Sequence, residues 1–250
     1  MCGICGELAF GATPASAASL QSMSDALAPR GPDGAGVVVR GPVGFGHRRL
    51  KIIDLSERAA QPMTDPELGL TVAFNGCIYN YRSLRGELEG LGYRFFSEGD
   101  TEVVLKAWHA WGERAPERFN GMFAFAVHER DSGRVILARD RLGIKPLYYA
   151  ESPGRLRFAS TLPALLAAGD IDTKIDPVAL NYYLSFHAVV PPPYTLLKGV
   201  RKLPPATVRV IERDGGTRDR VYWSLAFEPN ADDRLTSRDA QKTVPHGVRV

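Results

Sequence analysis

The residues with the clearest chemical potential open the chain, in the string Met1-Cys2-Gly3-Ile4-Cys5-Gly6. A residue as small as cysteine after the initiator permits removal of Met1, which would leave Cys2 at the N-terminus. One residue would then carry a thiol and an α-amine, ordinarily titrating near about 8.5 and about 7.7–8.0. A free amine near neutrality can take the thiol proton and so activate the nucleophile. Two plainer readings compete. Cys2 can be a small core residue, as free cysteines often are, or Cys2 and Cys5 can form a C-x-x-C redox or metal motif. A redox pair of that kind normally opens a helix after a strand, and no strand precedes this one. A zinc site needs four ligands, and no second C-x-x-C supplies the other two.

Further along, three positions stand out. Arg49 lies in the apolar run Arg48-Arg49-Leu50-Lys51-Ile52-Ile53, read as a strand. A charge in such a strand needs a partner, either a structural carboxylate or a ligand carboxylate held by the guanidinium fork. Asn75-Gly76 follows the strand pattern Leu70–Phe74, at a strand's end where side chains and amides can face a pocket. Asp100 stands ahead of a helical pattern and reads as its N-cap.

The elements that must position these residues follow from periodicity. Leu20, Met23 and Leu27 mark a helix over 15–28, with Pro14 at its start. Tyr81, Leu84, Leu88 and Leu91 mark a second, and Val103, Val104, Ala107, Trp108 and Trp111 a third. Short helices are expected over 162–168 and 177–185. Strands are expected after Cys2 and at 37–39, 43–47, 70–74, 93–96, 122–128, 135–138, 147–150, 156–159 and 207–211. Many hairpin-linked strands with few helices between them argue for layered antiparallel sheets covered by helices, an α+β class, over a parallel sheet. The chain has 250 residues and a net charge of +3, too small to argue for nucleic acid or membrane. Three cysteines without disulfide-like spacing fit a reducing, cytoplasmic setting. No leader-like segment opens the chain, and no uninterrupted apolar run is long enough to span a bilayer.

Taken together, several stretches resemble the glutaminase half of glutamine-hydrolysing asparagine synthetases, which are class II amidotransferases with an N-terminal nucleophile. These are M-C-G-I-C-G at 1–6, R-G-P-D-G at 30–34, G-H-R-R-L-K-I-I-D at 46–54, N-G-C-I-Y-N-Y at 75–81, S-E-G-D-T-E-V at 97–103, G-M-F-A-F-A at 121–126 and A-R-D-R-L-G-I-K-P-L-Y-Y at 138–149. They occur in family order over residues 1–223. Their wording is closest to the branch that amidates N-acetylglutaminylglutamine.

The resemblance implies a four-layer αββα sandwich of the N-terminal nucleophile hydrolase type, with the nucleophile on a strand. It implies L-glutamine as substrate and hydrolysis through a Cys2 thioester. Arg49 would hold the α-carboxylate, with backbone groups of Leu50, Lys51, Ile52 and Ile53 on the same wall. Asn75 and the Gly76 amide would form the oxyanion hole, and Asp100 would hold the α-ammonium group. Cys77 departs from the pattern. Many asparagine synthetases carry glutamate there, and a neutral thiol leaves more of the ammonium recognition to Asp100. The family's S-G-G-x-D-S loop, which binds ATP pyrophosphate, has no counterpart in these 250 residues.

The chain is therefore expected to hold a glutaminase domain over 1–223. Residues 224–250 are expected to be a truncated, disordered link toward a synthetase domain that is absent here. No metal or cofactor is expected in this chain, since ATP and magnesium would belong to the missing domain, whose place a separate synthetase partner or a homo-oligomer would take. The rivals are a silent homologue acting as a binding or regulatory module and a C-x-x-C thiol–disulfide protein.

Overall fold

A computed structural model describes residues 1–11 and 13–226. The chain begins with β1 (Gly3–Ala9), α1 (Ala17–Ala26), β2 (Gly34–Arg40) and β3 (Val43–Arg49). It continues with β4 (Met63–Asp65), β5 (Leu70–Ile78), α2 (Tyr81–Gly90), α3 (Asp100–Trp111) and the single turn α4 (Ala115–Arg118). Then come β6 (Gly121–Glu129), β7 (Val135–Arg139), β8 (Tyr148–Ser152), β9 (Arg155–Ala159), α5 (Leu162–Leu166) and α6 (Pro177–Ser185). The described part closes with β10 (Arg201–Lys202), β11 (Thr207–Ile211) and β12 (Thr217–Val221).

Two six-stranded sheets result, ordered β10-β8-β9-β1-β3-β2 and β12-β11-β7-β6-β5-β4. Every pairing between neighbouring strands is antiparallel. Strand alternation sorts the apolar residues into three cores. Leu20, Met23 and Leu27 of α1 pack with Cys5, Ala159 and Leu165 outside the first sheet. Ile4, Leu8, Phe45, Ala73, Ala124 and Phe158 fill the space between the sheets. Phe74, Phe123, Phe125, Leu84, Leu88, Val104 and Trp108 form the core between the second sheet and α2 and α3. Three apolar layers require four layers of structure, helix, sheet, sheet and helix, so the αββα sandwich is the observed architecture.

β1 shows the sorting residue by residue. Ile4 and Leu8 point between the sheets, while Cys5 points to the α1 side. Glu7 also lies on that outer side. Fully buried, it is satisfied by Arg155, by Arg157 and by the Ser16 amide ahead of α1. The helix itself starts later than Pro14 implies, because the Ser16 hydroxyl caps it by accepting from the Ser19 amide.

Several expectations need correction. Residues 93–96 form no strand. The amides of Phe96 and Ser97 are taken by the buried Glu102 carboxylate of α3, and the Arg85 and Lys106 cations stand over the Phe95 ring. The strand through Arg48 stops at Arg49. Asn75-Gly76 lies within β5, which pairs with β6 as far as Ile78. The helix cap is Gly99, and Asp100 is the first helical residue. The expected link at 224–250 lies, from residue 227 on, outside the described residues.

Candidate active site

One pocket opens where β1, β3, β5 and the start of α3 converge. Its lining includes Cys2, Arg49, Leu50, Ile52, Ile53, Asn75, Gly76, Cys77 and Asp100. The fold thus brings together every candidate named from the sequence except Lys51. The Lys51 amide donates to Asp33 at 2.9 Å and its ammonium pairs with Glu57, so this residue faces away from the cavity.

Cys2 sits immediately before β1. Its sulfur accepts from the Leu50 amide at 3.3 Å, and its carbonyl accepts from Arg30 Nε at 2.9 Å. Arg30 comes from the R-G-P-D-G loop, which lies against β3. The Asp33 amide donates to the Arg49 carbonyl at 2.9 Å. Gly31 has no room for a side chain, since a Cβ there would come within 2.3 Å of the Arg48 carbonyl carbon. Cys5, by contrast, is fully buried on the α1 side of the sheet. The two cysteines of C-x-x-C therefore face different compartments.

Arg49 is 6% exposed and fixed from behind. Its Nη1 donates to the Ser56 carbonyl at 2.8 Å and its Nη2 to the Asp54 carbonyl at 2.6 Å. With five N–H donors on the guanidinium, this leaves donors for a ligand. The strand ends here because the next amides turn to other duties, Leu50 N–H to the Cys2 sulfur and Lys51 N–H to Asp33.

Asn75 is 1% exposed, and its amide Nδ2 has no hydrogen-bond partner among the described residues. A buried N–H donor left unpaired is costly, so this one is poised for a ligand oxygen. Beside it, Gly76 is required by close approach, as a Cβ would lie 2.4 Å from the Met122 carbonyl oxygen of β6.

The Asp100 carboxylate is 6% exposed and accepts from the Ile78 amide at 3.0 Å. Burial pushes its pKa up to about 6, against the opposing pull of the Ile78, Asp100 and Thr101 amides. No cation pairs with it among the described residues. Cys77 is half-buried, and burial together with the Asp100 charge raises its thiol pKa.

Sequence reasoning missed the supports. Asp54 ties two walls together, accepting from the Ser56 amide and from the Glu98 amide ahead of α3, both at 2.8 Å. Gln61 accepts from Phe74 N–H at 2.7 Å and donates to Thr101 Oγ1 at 3.2 Å. His47 reaches across the sheets to the Phe74 carbonyl at 3.2 Å. Burial, with Arg49 nearby, lowers its pKa to about 4, so it is neutral near neutral pH and Nε2 carries the donated proton. Only the motif strings that contain Asp54 and His47 hinted at them. Gln61 left no signal.

Two stacked antiparallel sheets flanked by helices, with a cysteine at the head of a central strand, define the N-terminal nucleophile class of amidotransferase fold. Two solved structures share it. The glutamine phosphoribosylpyrophosphate amidotransferase from B. subtilis superposes with a TM-score of 0.65 at 19% identity, over 88% of this chain and 49% of that one. A structure described as the allosteric regulatory enzyme of purine biosynthesis gives 0.66 at 20%, with the same coverage. The chain belongs to the glutamine amidotransferase domain family, whose model matches residues 1–223. It is 39% identical to asparagine synthetase [glutamine-hydrolyzing] 1 of Bacillus subtilis, over 88% of this chain and 35% of that protein. It is 32% identical to the putative asparagine synthetase [glutamine-hydrolyzing] 2 of Methanocaldococcus jannaschii, over the whole of this chain and 52% of that protein. The chain thus spans between about a third and half of the length of these curated relatives. No helix among the described residues is long and apolar enough to cross a membrane.

Proposed function

We propose that this chain hydrolyses the side-chain amide of L-glutamine to glutamate and ammonia through a Cys2 thioester, and that Met1 is removed to expose the nucleophile. The observation that carries the reading is one pocket holding four complementary parts: the Cys2 thiol, the unpartnered Asn75 Nδ2 donor, the Arg49 guanidinium and the unpaired Asp100 carboxylate. Arg49 pairs with the α-carboxylate and Asp100 with the α-ammonium group, which leaves the side-chain amide to meet the sulfur.

The Cys2 α-amine takes the thiol proton as sulfur bonds to the amide carbon. Asn75 Nδ2 and the Gly76 amide donate to the developing oxyanion, the interaction that contributes most in such sites. The proton passes to nitrogen, the C–N bond breaks and ammonia leaves. Water then adds to the thioester, and the C–S bond breaks to return the thiol and release glutamate. The alternative of a Cys2–Cys5 redox pair is disfavoured by their opposite facing.

The ammonia acceptor, and any ATP and magnesium, we assign to sequence beyond residues 1–223, by analogy with the longer relatives. The test is a glutaminase assay on the purified chain, with intact mass reporting Met1 removal. Wild type is expected to release glutamate and ammonia without ATP, Cys2→Ala to be inactive, and Cys5→Ala to keep substantial activity. A processed, folded wild type with no turnover would favour the silent-module reading.

A further inference from the structure

The pocket is built on an open edge of β5. β4 pairs with β5 only as far as Met63 and Val72, and beyond Val72 that edge meets no strand among the described residues. The register, continued, would set Gln61 opposite Phe74. Pro62, which has no N–H, comes between, and the buried Gln61 side chain does what a strand's backbone would. Its Oε1 accepts from the Phe74 amide at 2.7 Å, and its Nε2 donates to Thr101 Oγ1 at 3.2 Å. The Phe74 carbonyl is held from the first sheet by His47, at 3.2 Å. The Gln61 backbone is itself packed closely on β2, where a Cβ on Gly36 would lie 2.2 Å from the Gln61 carbonyl oxygen.

Alternation in an antiparallel ladder puts the amides of Phe74, Gly76 and Ile78 on this open edge. The first goes to Gln61 and the third to the Asp100 carboxylate at 3.0 Å. Asp100 and Thr101 are the first two residues of α3. A closed ring therefore runs from Phe74 through Gln61, Thr101 and Asp100 to Ile78 and back along β5, with the Gly76 amide between its two β5 ends. Asp100 makes one hydrogen bond of that ring, and Gln61 makes the other two. Apolar burial is non-directional, so packing of α3 on β5 does not by itself fix a separation. Hydrogen bonds have a set length and angle.

We propose that Gln61 is a positioning residue: its side-chain amide sets the spacing between the β5 edge, which carries Asn75 and Gly76, and the start of α3, which carries Asp100. The inference rests on the glutaminase reading, in which one substrate must reach the oxyanion donors and the ammonium seat at once. Gln61 acts through Phe74 on the first and through Thr101 on the second. A misplacement of about 1 Å at a reacting group can cost on the order of a hundredfold in rate, so a loosened ring should be felt in kcat. Arg49 and Asp100 remain to bind the substrate, so KM should be affected far less.

The test compares wild type, Gln61→Met, Thr101→Val, Thr101→Ser and the Gln61→Met/Thr101→Val double variant, each confirmed free of Met1 by intact mass and folded by thermal melting. kcat and KM for glutamine are measured beside amide hydrogen exchange, read by peptide mass over 73–78 and 97–102. Gln61→Met is expected to lower kcat by roughly ten- to a hundredfold with KM within about threefold, and to speed exchange in both segments by about tenfold. Thr101→Val, which cuts only the link to α3, should lower kcat by about tenfold, and Thr101→Ser, which keeps the hydroxyl, should stay within about threefold of wild type. The double variant should be no worse than Gln61→Met alone, because both changes cut one link. If Gln61→Met does not fold, the two Thr101 variants carry the test. A lowered melting midpoint with kcat unchanged in Gln61→Met or Thr101→Val would mean a merely structural role and overturn the proposal, as would fully additive losses in the double variant. The exchange arm needs no turnover. An inactive wild type would sink the glutaminase reading, while unchanged exchange in both segments would show that Gln61 does not hold the two walls.

Discussion

Arg49 and Asp100 line the same pocket and are equally buried, yet they are held in different ways. The guanidinium is braced by the carbonyls of Asp54 and Ser56, so its charge is compensated by dipoles before any ligand arrives. The carboxylate receives the Ile78 amide and meets no cation. Burial leaves the Asp100 pKa at about 6, within reach of ordinary buffers, whereas a guanidinium stays charged throughout. On the proposed glutamine reading, the contrast separates a built anion seat from a cation seat that the ligand itself would complete. It also means that the folded chain carries a destabilising group, which on the proposed reading glutamine would relieve.

The largest effect should come from Asp100→Asn. Removing one partner of a buried charge pair costs roughly 2–5 kcal/mol, so kcat/KM for glutamine should fall by about 30-fold or more. The same variant should gain stability. The folded pKa of Asp100 lies above the value near 3.9 of an unfolded aspartate, so stability is greatest below that value and is lost as pH rises through about 6. Asp100→Asn should therefore raise the unfolding free energy at pH 7, by roughly 2–3 kcal/mol, and change it little at pH 4. A melt with no such pH-dependent gain would show that Asp100 is not strained in the free chain.

Arg49→Lys comes next. It keeps the charge and loses the planar fork that holds the two carbonyls and a carboxylate together. KM should rise by roughly tenfold or more, and its pH dependence should match that of wild type. Steady-state kinetics at pH 6 and pH 8 check this, and a changed pH dependence would mean that the two ends are not independent in charge.

In the wild type, the KM for glutamine should rise as pH falls through about 6, reaching roughly tenfold at pH 5, because only the carboxylate form of Asp100 pairs with ammonium. Glutamine binding to Cys2→Ala, followed by calorimetry, isolates this effect from the chemistry. A flat profile would place the ammonium group elsewhere. The smallest change is expected of Cys77→Glu, which adds a second carboxylate beside Asp100 and should lower KM at pH 8 by about two- to fivefold. A rise in KM would mean that the half-buried position cannot accept the added charge.

Arg49 and Cys2, proposed above as anion seat and nucleophile, were legible as pocket residues because each is an unusual residue in a recognisable setting, Arg49 in an apolar run and Cys2 behind an initiator. Asp100 stood out as a position, read from its neighbours as a cap, which is instead Gly99, and from the resemblance as the partner of an α-ammonium group. Its neighbours look like any helix start, and only the fold shows its carboxylate turned to the Ile78 amide of β5. The strand expected at 93–96 failed because β-favouring aromatics there serve as a platform for Arg85 and Lys106, with the backbone captured by Glu102. Conversely, β12 escaped notice because its outward side chains are charged. Asp219 pairs with Arg209, Arg218 with Glu113 and Arg220 with Glu117, so no alternation of apolar residues marks it. Gln61 and Asp54 matter through partners far away in sequence, which no local pattern can display.

Asp54 has one more consequence. Its carbonyl braces Arg49, while its carboxylate holds the Glu98 amide two residues before Asp100. A single aspartate is thus the shared hinge pin of both walls of the pocket. Drift in the length or composition of either loop would be transmitted to the other, so the two walls cannot be retuned one at a time. A lineage adapting this pocket to a longer or shorter amino acid would have to replace both loops together, or begin at Asp54.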